Sequence, residues 1–474
     1  MSSVSSLNSL LSSTNAASAI DLSTILQAAT GASSSGIDVT SAVDAAVTAA
    51  EAPEKAWESE QTTLQSQTSA LTTIQTDATS LDNDMQSLNS LNGPLSASTV
   101  TSSNSSVVTA SAASGSATGN NIVVVNSLAT TASFSSSAVA SATTDLPTES
   151  ITITPSSGSA TTITTGNGVD TLTDLENAIN SASLGVTATI ITDASGSRLA
   201  ITSDSSGSAG SFAVSSSGGS FGFTQAEGGN NASLTVNGID ISSASNTVTG
   251  VLPGVTLNLQ SASPGAEVTL AVTPDTSQAS TAINQFVTDY NTLISAVNTQ
   301  FTYTSGSGQG VLAEDPTVQT LQSDLLGALG FTSTTTSGSS STVTSLASLG
   351  ITVNSDGTLS VDSSTLDDAL QNNFSNVQNF FQGTSLNGFA NSLDQQLTSF
   401  ISPADGAFTV DLQSISSENT TLQDDINNFQ TNVITPLQAQ LQSEYSKAEI
   451  ALQQLPNEIK DIDEELGENN SSSN

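Results

Sequence analysis

The chain has no cysteine and no histidine, and only four basic residues, one tryptophan and three tyrosines in 474. Without cysteine there are no disulfides or thiolates, so sulfur chemistry does not fix the redox compartment. Without histidine there is no His-based triad, and with both absent ordinary zinc sites are excluded. The four bases, Lys55, Arg198, Lys447 and Lys460, stand against 43 acids, giving a formal charge of −39. Nucleic-acid binding needs bases that displace counterions from phosphate, so nucleic acid is excluded as a partner. Attraction to an anionic membrane fails for the same reason. No apolar run reaches the ~20 residues of a membrane span, so membrane insertion is not expected. The acids are dispersed, as on a solvated surface. A carboxylate-pair glycosidase needs only two acids roughly 5–10 Å apart, yet so few aromatics leave little to stack against a sugar. We expect neither an enzyme nor a cofactor.

What is present is apolar periodicity at both ends. Leu422, Ile426, Phe429, Val433, Leu437, Leu441, Tyr445, Ala448, Leu452, Leu455, Ile459, Ile462 and Leu466 recur at steps of three and four. That spacing lines one side of a helix and, when sustained, forms a coiled-coil seam. Such a helix runs roughly 65 Å, and its stripe demands a covering partner. Pro436 predicts a kink or boundary near Val433–Pro436, because an interior proline removes a helical hydrogen bond. Trp57, Leu64, Leu71, Ile74, Ala78, Leu81, Met85 and Leu88 repeat the pattern before the breaker Asn92-Gly93-Pro94. The two stripes are expected to pair. Asp461, Asp463, Glu464 and Glu465 read as a solvated helical face rather than a metal site.

Residues 1–35 are rich in Ser, Ala and Thr and lack the basic start and compact apolar core of a cleaved secretion signal. They read as a flexible extension carrying a weakly amphipathic stretch. From Thr99 to Thr273 short β-favouring runs are set off by Gly, Asn and Ser, the pattern of antiparallel sheets. Thr173-Asp174-Leu175-Glu176 reads as a capping box opening one helix among them. Asp275 and Asp315-Pro316 open further helices. Ile351–Val361 is a hairpin around Asp356-Gly357 rather than a calcium loop, because the spaced ligand set is missing. Helices follow from Leu366 to Phe381, where Phe374, Phe380 and Phe381 form a core face, and from Phe389 to Phe400.

The fold class is α+β and multidomain. Terminal helices of 36–60 and 403–474 form a coiled-coil-like leg, partly disordered before assembly. Residues 61–98 and 275–402 form a mixed helical domain with a small sheet. Antiparallel β-rich head domains, 99–142 with 230–274 and then 143–229, are inserted in it.

The ordered motifs resemble a known family. Leu234-Thr-Val-Asn237-Gly238-Ile239-Asp240 is followed by Ser245-Asn246-Thr247-Val248, Pro253-Gly254-Val255 and Tyr290-Asn291. Leu349-Gly350-Ile351 and Asp356-Gly357 with Leu359 come later, and Gly36-Ile37-Asp38-Val39 opens the set. Together they resemble hook-associated protein 2, the flagellar filament-capping family. The resemblance implies a ring-like homo-oligomer at the distal tip, outside the cell, that helps exported flagellin fold and insert. It also implies export through the flagellar type III channel without a cleaved signal, a cytoplasmic export chaperone, and hook-associated proteins as neighbours at the hook–filament junction before elongation. The seam Leu437, Leu441, Leu452, Leu455, Ile459 and Ile462 is the expected assembly surface. The matching N-terminal seam is Trp57, Leu64, Leu71, Ile74 and Leu81. Two departures stand out: the opening motif usually lies near the chain start, and scarce Lys and Arg remove the salt bridges that help set register. The alternative reading is a surface adhesin whose Ser/Thr-rich β head grips a glycan or host polymer.

Overall fold

A computed structural model describes residues 39–306, 308–333, 343–383 and 387–471. The extension 1–35 and Gly36, Ile37 and Asp38 lie outside them. The fold is α+β, and the chain divides into two compact units. One contains 1–80, 292–325 and 396–474; the other contains 81–291 and 326–395.

Helix α1 (Val39–Ala50) leads into α2 (Ala52–Asn89). Pro53 sits in the first turn of α2, where a missing N–H costs nothing, so this helix starts upstream of Lys55. Its apolar stripe is buried along its length: Leu64 is 4% exposed, and Leu71, Ile74, Ala78, Leu81, Met85 and Leu88 are 1% or less.

The β region starts with β1 (Ser98–Ser102), β2 (Val108–Ala112) and β3 (Gly119–Ser127). A second lobe then intervenes, formed by β4 (Thr131–Ser135), β5 (Ser150–Pro155), β6 (Thr161–Thr164), helix α3 (Leu172–Ser181), β7 (Val186–Asp193), β8 (Gly196–Ser206), β9 (Phe212–Ser216) and β10 (Thr224–Glu227). The chain returns through β11 (Ala232–Val236), β12 (Ile239–Ser243), β13 (Thr247–Leu252), β14 (Val255–Leu259) and β15 (Val268–Pro274).

In the first lobe a five-stranded sheet, β1-β15-β3-β11-β12, shares one core with the three-stranded β13-β14-β2. Alternation does the work: Val123 and Val125, Leu234 and Val236, Val268 and Leu270 point inward at period two. Asn237 and Gly238, both at positive φ, make the tight β11–β12 turn. The second lobe packs the sheets β10-β4-β8-β7 and β6-β5-β9 around Leu172, Leu175 and Ile179 of α3. Its pairing already includes Thr131–Ser135, upstream of Thr143.

The capping box of α3 is Thr171 with Asp174, not Thr173 with Glu176. Thr171 accepts from the Asp174 N–H, and Asp174 accepts from the Thr171 N–H at 3.0 Å. Leu172 is buried, so the helix starts two residues earlier than a cap at Thr173 would place it.

After the sheets come α4 (Thr276–Phe301), α5 (Pro316–Ala328), the hairpin β16 (Ile351–Val353) and β17 (Leu359–Val361), α6 (Ser363–Asn372), α7 (Phe374–Gln382) and α8 (Phe389–Ile401). Asp275 caps α4 by accepting from the Ser277 and Gln278 N–H groups, and Asp315 caps α5 through Thr317 and Val318. The expected helix from Leu366 to Phe381 is two helices, broken at Asn373, whose φ of −135° is not helical. The break turns Phe380 and Phe381 into a cluster with Phe286, Phe331 and Phe389, ring centroids 5.2–6.5 Å apart. Phe374 is only half-buried.

The chain ends in α9 (Ala407–Phe429), one π-helical turn at Gln430–Ile434, and α10 (Thr435–Ser471). The turn falls where Pro436 predicts a break. Pro436 has no N–H, and its ring needs space in the preceding turn. The backbone takes in one extra residue, so the Thr435 N–H reaches Gln430 O.

Candidate assembly surface

The chemistry-poor sequence directs attention to the terminal helices. Within the first unit, α1 and the start of α2 run antiparallel to α9 and α10. Gln61 Nε2 donates to Asn419 O at 3.4 Å and Gln423 Oε1 at 3.3 Å. Trp57 stands edge-on to Phe429, centroids 5.4 Å apart at 89°, a favourable quadrupole geometry. Buried Glu54 accepts from Gln430 Nε2 inside the π turn. Val43, Val47 and Ile434 then form a small core, lined by Ala50, Phe429, Leu441 and Tyr445.

This geometry places the predicted seam residues differently from one another. Leu437 and Leu441 are half-buried. Leu455, Ile459 and Ile462 are 47%, 52% and 54% exposed, with Ile450 at 55% beside them. Leu452 lies within α10, and Val39 is the first residue of α1. On the N-terminal side Leu64, Leu71, Ile74 and Leu81 are buried and Trp57 is half-buried. The segment Ile434–Tyr445 meets α1, not the Leu64–Leu88 stripe, because the antiparallel register is set upstream by Trp57 and Gln61.

With so few bases, glutamine takes the place of lysine in the one-turn pairs along α10. Gln440 Nε2 donates to Glu444 Oε1 at 3.0 Å, and Gln453 Nε2 to Glu449 Oε1 at 3.3 Å. Both bonds lie within α10, and a neutral donor is weaker there than a charged one. Among the described residues no group of three or more acids could hold a metal ion, and no described helix is long and apolar enough to cross a membrane.

The resemblance motifs act structurally, through asparagine amides that stand in for backbone. In the second unit Asn291 Oδ1 accepts from Leu359 N at 2.6 Å while its Nδ2 donates to Leu359 O at 2.8 Å. Asn246 does the same with Ala129, at 2.7 and 2.9 Å. Asn237 accepts from Ile122 N and donates to Asn121 Oδ1. Asn180 clamps Ala188 in the same way, at 2.7 and 3.0 Å. Sequence reading missed this pairing, because an asparagine in a turn-rich chain looks like turn chemistry.

Two strongly perturbed carboxyls lie on α2, within the second unit. Asp82 is pushed up to about 7 by burial and then by hydrogen bonding with, and repulsion from, Asp394. Asp84 is pushed up to about 7 by burial and by Asp289. Asp82 Oδ1 and Asp84 Oδ2 are buried and receive no donor, which a proton shared within each pair supplies.

Three family models match the chain: flagellar hook-associated protein 2 N-terminus over 35–132, flagellin hook IN motif over 150–205, and flagellar hook-associated protein 2 C-terminus over 229–457. B-type flagellar hook-associated protein 2 of Pseudomonas aeruginosa is 29% identical over 311 residues, 57% of this chain and 60% of that protein. Lateral flagellar hook-associated protein 2 of Vibrio parahaemolyticus is 29% identical over 39% of this chain and 42% of its own length. The chain thus spans 60% or less of these relatives. The crystal structure of the flagellar cap protein FliD D1-D2-D3 domains from Escherichia coli superposes with a TM-score of 0.58 at 29% identity, covering 73% of this chain and 99% of that one.

Proposed function

The chain belongs to the flagellar hook-associated protein 2 family, and on that premise we propose that it caps the distal tip of the flagellar filament. It acts there as a homo-oligomer that promotes insertion and folding of exported flagellin. The observation that carries this reading is the ordered match of both family models together with the alignment to the cap-protein structure. The work is mechanical. The terminal helices form the leg that contacts flagellin and neighbouring copies, and the β-rich lobes form the head. A seam held by the side-chain amides of Gln61 and Gln430 and one small apolar core suits a leg that shifts as each subunit is added. Export through the flagellar channel with a cytoplasmic chaperone, and earlier contact with hook-associated proteins at the junction, belong to the same reading.

The test is complementation of cells that lack their own cap and spill monomeric flagellin into the medium. Expression of this chain with its cognate flagellin is expected to restore filaments and stop the leak. Undiminished leakage, with the protein exported and intact, rejects the cap assignment.

A further inference from the structure

At the π turn two adjacent apolar residues compete for one slot. Ile434 is 4% exposed and packs with Val43 and Val47 of α1, while its neighbour Val433 is 44% exposed. Upstream, Ile426 is buried in α9. Seven residues make two turns of an α-helix to within about 20°, whereas eight overshoot by about 80°. Val433 lies seven residues beyond Ile426 and Ile434 eight, so an unbroken α-helix would seat Val433 in that slot. The extra residue held by the π turn seats Ile434 instead. Leu441 and Tyr445 then follow Ile434 onto the α1 side.

Different groups hold the two registers. In the π turn Gln430 O accepts from the Thr435 N–H and from Thr435 Oγ1, the latter at 2.8 Å, and Gln430 Nε2 donates to buried Glu54. Pro436 favours this arrangement, because in an α-helix its ring meets the carbonyl of Asn432 four residues back. On the other side stand ordinary α-helical hydrogen bonding and the slot itself. Val43 and Val47 line it, and an apolar slot accepts either β-branched side chain, the two differing by one methylene. Single π turns inside α-helices are uncommon and frequently mark functional sites.

We propose that Gln430–Pro436 is a two-position register switch in the C-terminal helix. In one position the π turn buries Ile434. In the other the turn closes to α, Val433 takes the slot, and α10 rotates about its own axis by about 100° relative to α9. Leu437 then moves to the α1 side and Tyr445 leaves it, while the exposed Leu455 and Ile462 turn through the same angle. The helix thereby presents two discrete apolar faces without leaving α1. The use of such a switch, in a leg that shifts, rests on the capping reading; its existence is tested in the free chain, whereas capping is judged in cells.

The chain has no cysteine, so introduced pairs report the register. Val43 and Leu441 share the small core, and in the α register Gln440 takes the place of Leu441. In dilute full-length protein, Val43→Cys with Leu441→Cys is expected to oxidise about fivefold faster than Val43→Cys with Gln440→Cys, because a disulfide needs Cβ atoms within about 4.5 Å. Adding Pro436→Ala, which removes the ring that opposes the α register, is expected to reverse that order. A Pro436→Ala chain that folds, by far-UV circular dichroism, and keeps the parent's order overturns the proposal. Deletion of Asn432 supplies a second arm that does not depend on that variant. With the extra residue gone, the turn closes to α while Ile434 stays in the slot. On long oxidation the 43/440 pair is expected to accumulate slowly in the parent and not in the deleted chain. Equal accumulation in both, or none in the parent, also overturns the proposal.

Discussion

Helices α2 and α10 have nearly equal lengths, 38 and 37 residues, and both carry a stripe at steps of three and four. Their outcomes differ. Every stripe residue of α2 from Leu64 to Leu88 is closed off, while Ile450, Leu455, Ile459 and Ile462 of α10 stand open. Periodicity therefore states what a helix needs, and only its neighbours state what it gets. A covered leucine contributes about 1.5–3 kcal/mol and an open one a small part of that. Pro456 sits inside the open half of α10, where its missing hydrogen bond is a further cost.

The sharpest way to break this contrast is to truncate one leucine in each helix. Leu71→Ala is expected to lose about 2–5 kcal/mol in denaturant unfolding. Leu455→Ala is expected to lose less than about 0.5 kcal/mol, as an exposed substitution does. Comparable losses at both sites would mean that the two stripes are equally covered.

Most of the fold was legible because it rests on period and punctuation. The α2 stripe, the β alternation around Leu234 and Val268, the caps at Asp275 and Asp315, and the hairpin at Asp356-Gly357 all follow from local chemistry. What escaped was set by tertiary context. Asn373 breaks a helix whose apolar pattern runs on through it, because Phe380 and Phe381 have to turn toward Phe389. The capping box moved because Leu172 had to be inside. The two stripes meet where Trp57 faces Phe429, but how far that pairing runs was not legible, since which helix covers which residue depends on register.

The asparagine clamps extend the contrast to polar groups, because a buried amide is worth its partner. Asn291→Ala leaves the Leu359 N–H and C=O without their side-chain partners, and is expected to cost about 1–3 kcal/mol. Hydrogen exchange at Leu359 should rise in that variant. Protection unchanged from the parent would show that the clamp is dispensable.

The carboxyl pairs on the buried side of α2 make stability depend on pH in a defined direction. Asp82 and Asp84 sit at about 7 in the fold against 3.8 when free. Below pH 4 both states are protonated and the penalty is absent. Between about 4 and 7 the unfolded chain releases protons that the fold retains, so stability falls as pH rises, then levels off above 7. Asp82→Asn keeps an acceptor for Gln86 Nε2, now at 2.8 Å, and supplies an amide donor to Asp394. Its melting temperature should therefore fall less steeply across that window and exceed the parent's at pH 8. Parallel melting curves for variant and parent would remove Asp82 as the cause.

The smallest expected effect comes from a residue that is buried but incompletely satisfied. Tyr290 on α4 is fully enclosed, its hydroxyl has no hydrogen-bond partner, and burial holds its pKa well above the usual tyrosine range. The ring packs beside Phe286, 6.3 Å between centroids, so its apolar contribution resembles that of a phenylalanine. Removing the oxygen forfeits no bond and relieves a desolvated dipole. The resulting void is smaller than a methyl group's worth of packing, and that loss offsets part of the gain. Tyr290→Phe is expected to leave stability unchanged or raise it by up to about 1 kcal/mol, read by the same denaturant titration. A loss of more than about 1 kcal/mol would mean that the hydroxyl has a partner after all, and that the interior of the second unit is as fully satisfied in its polar groups as α2 is in its apolar ones.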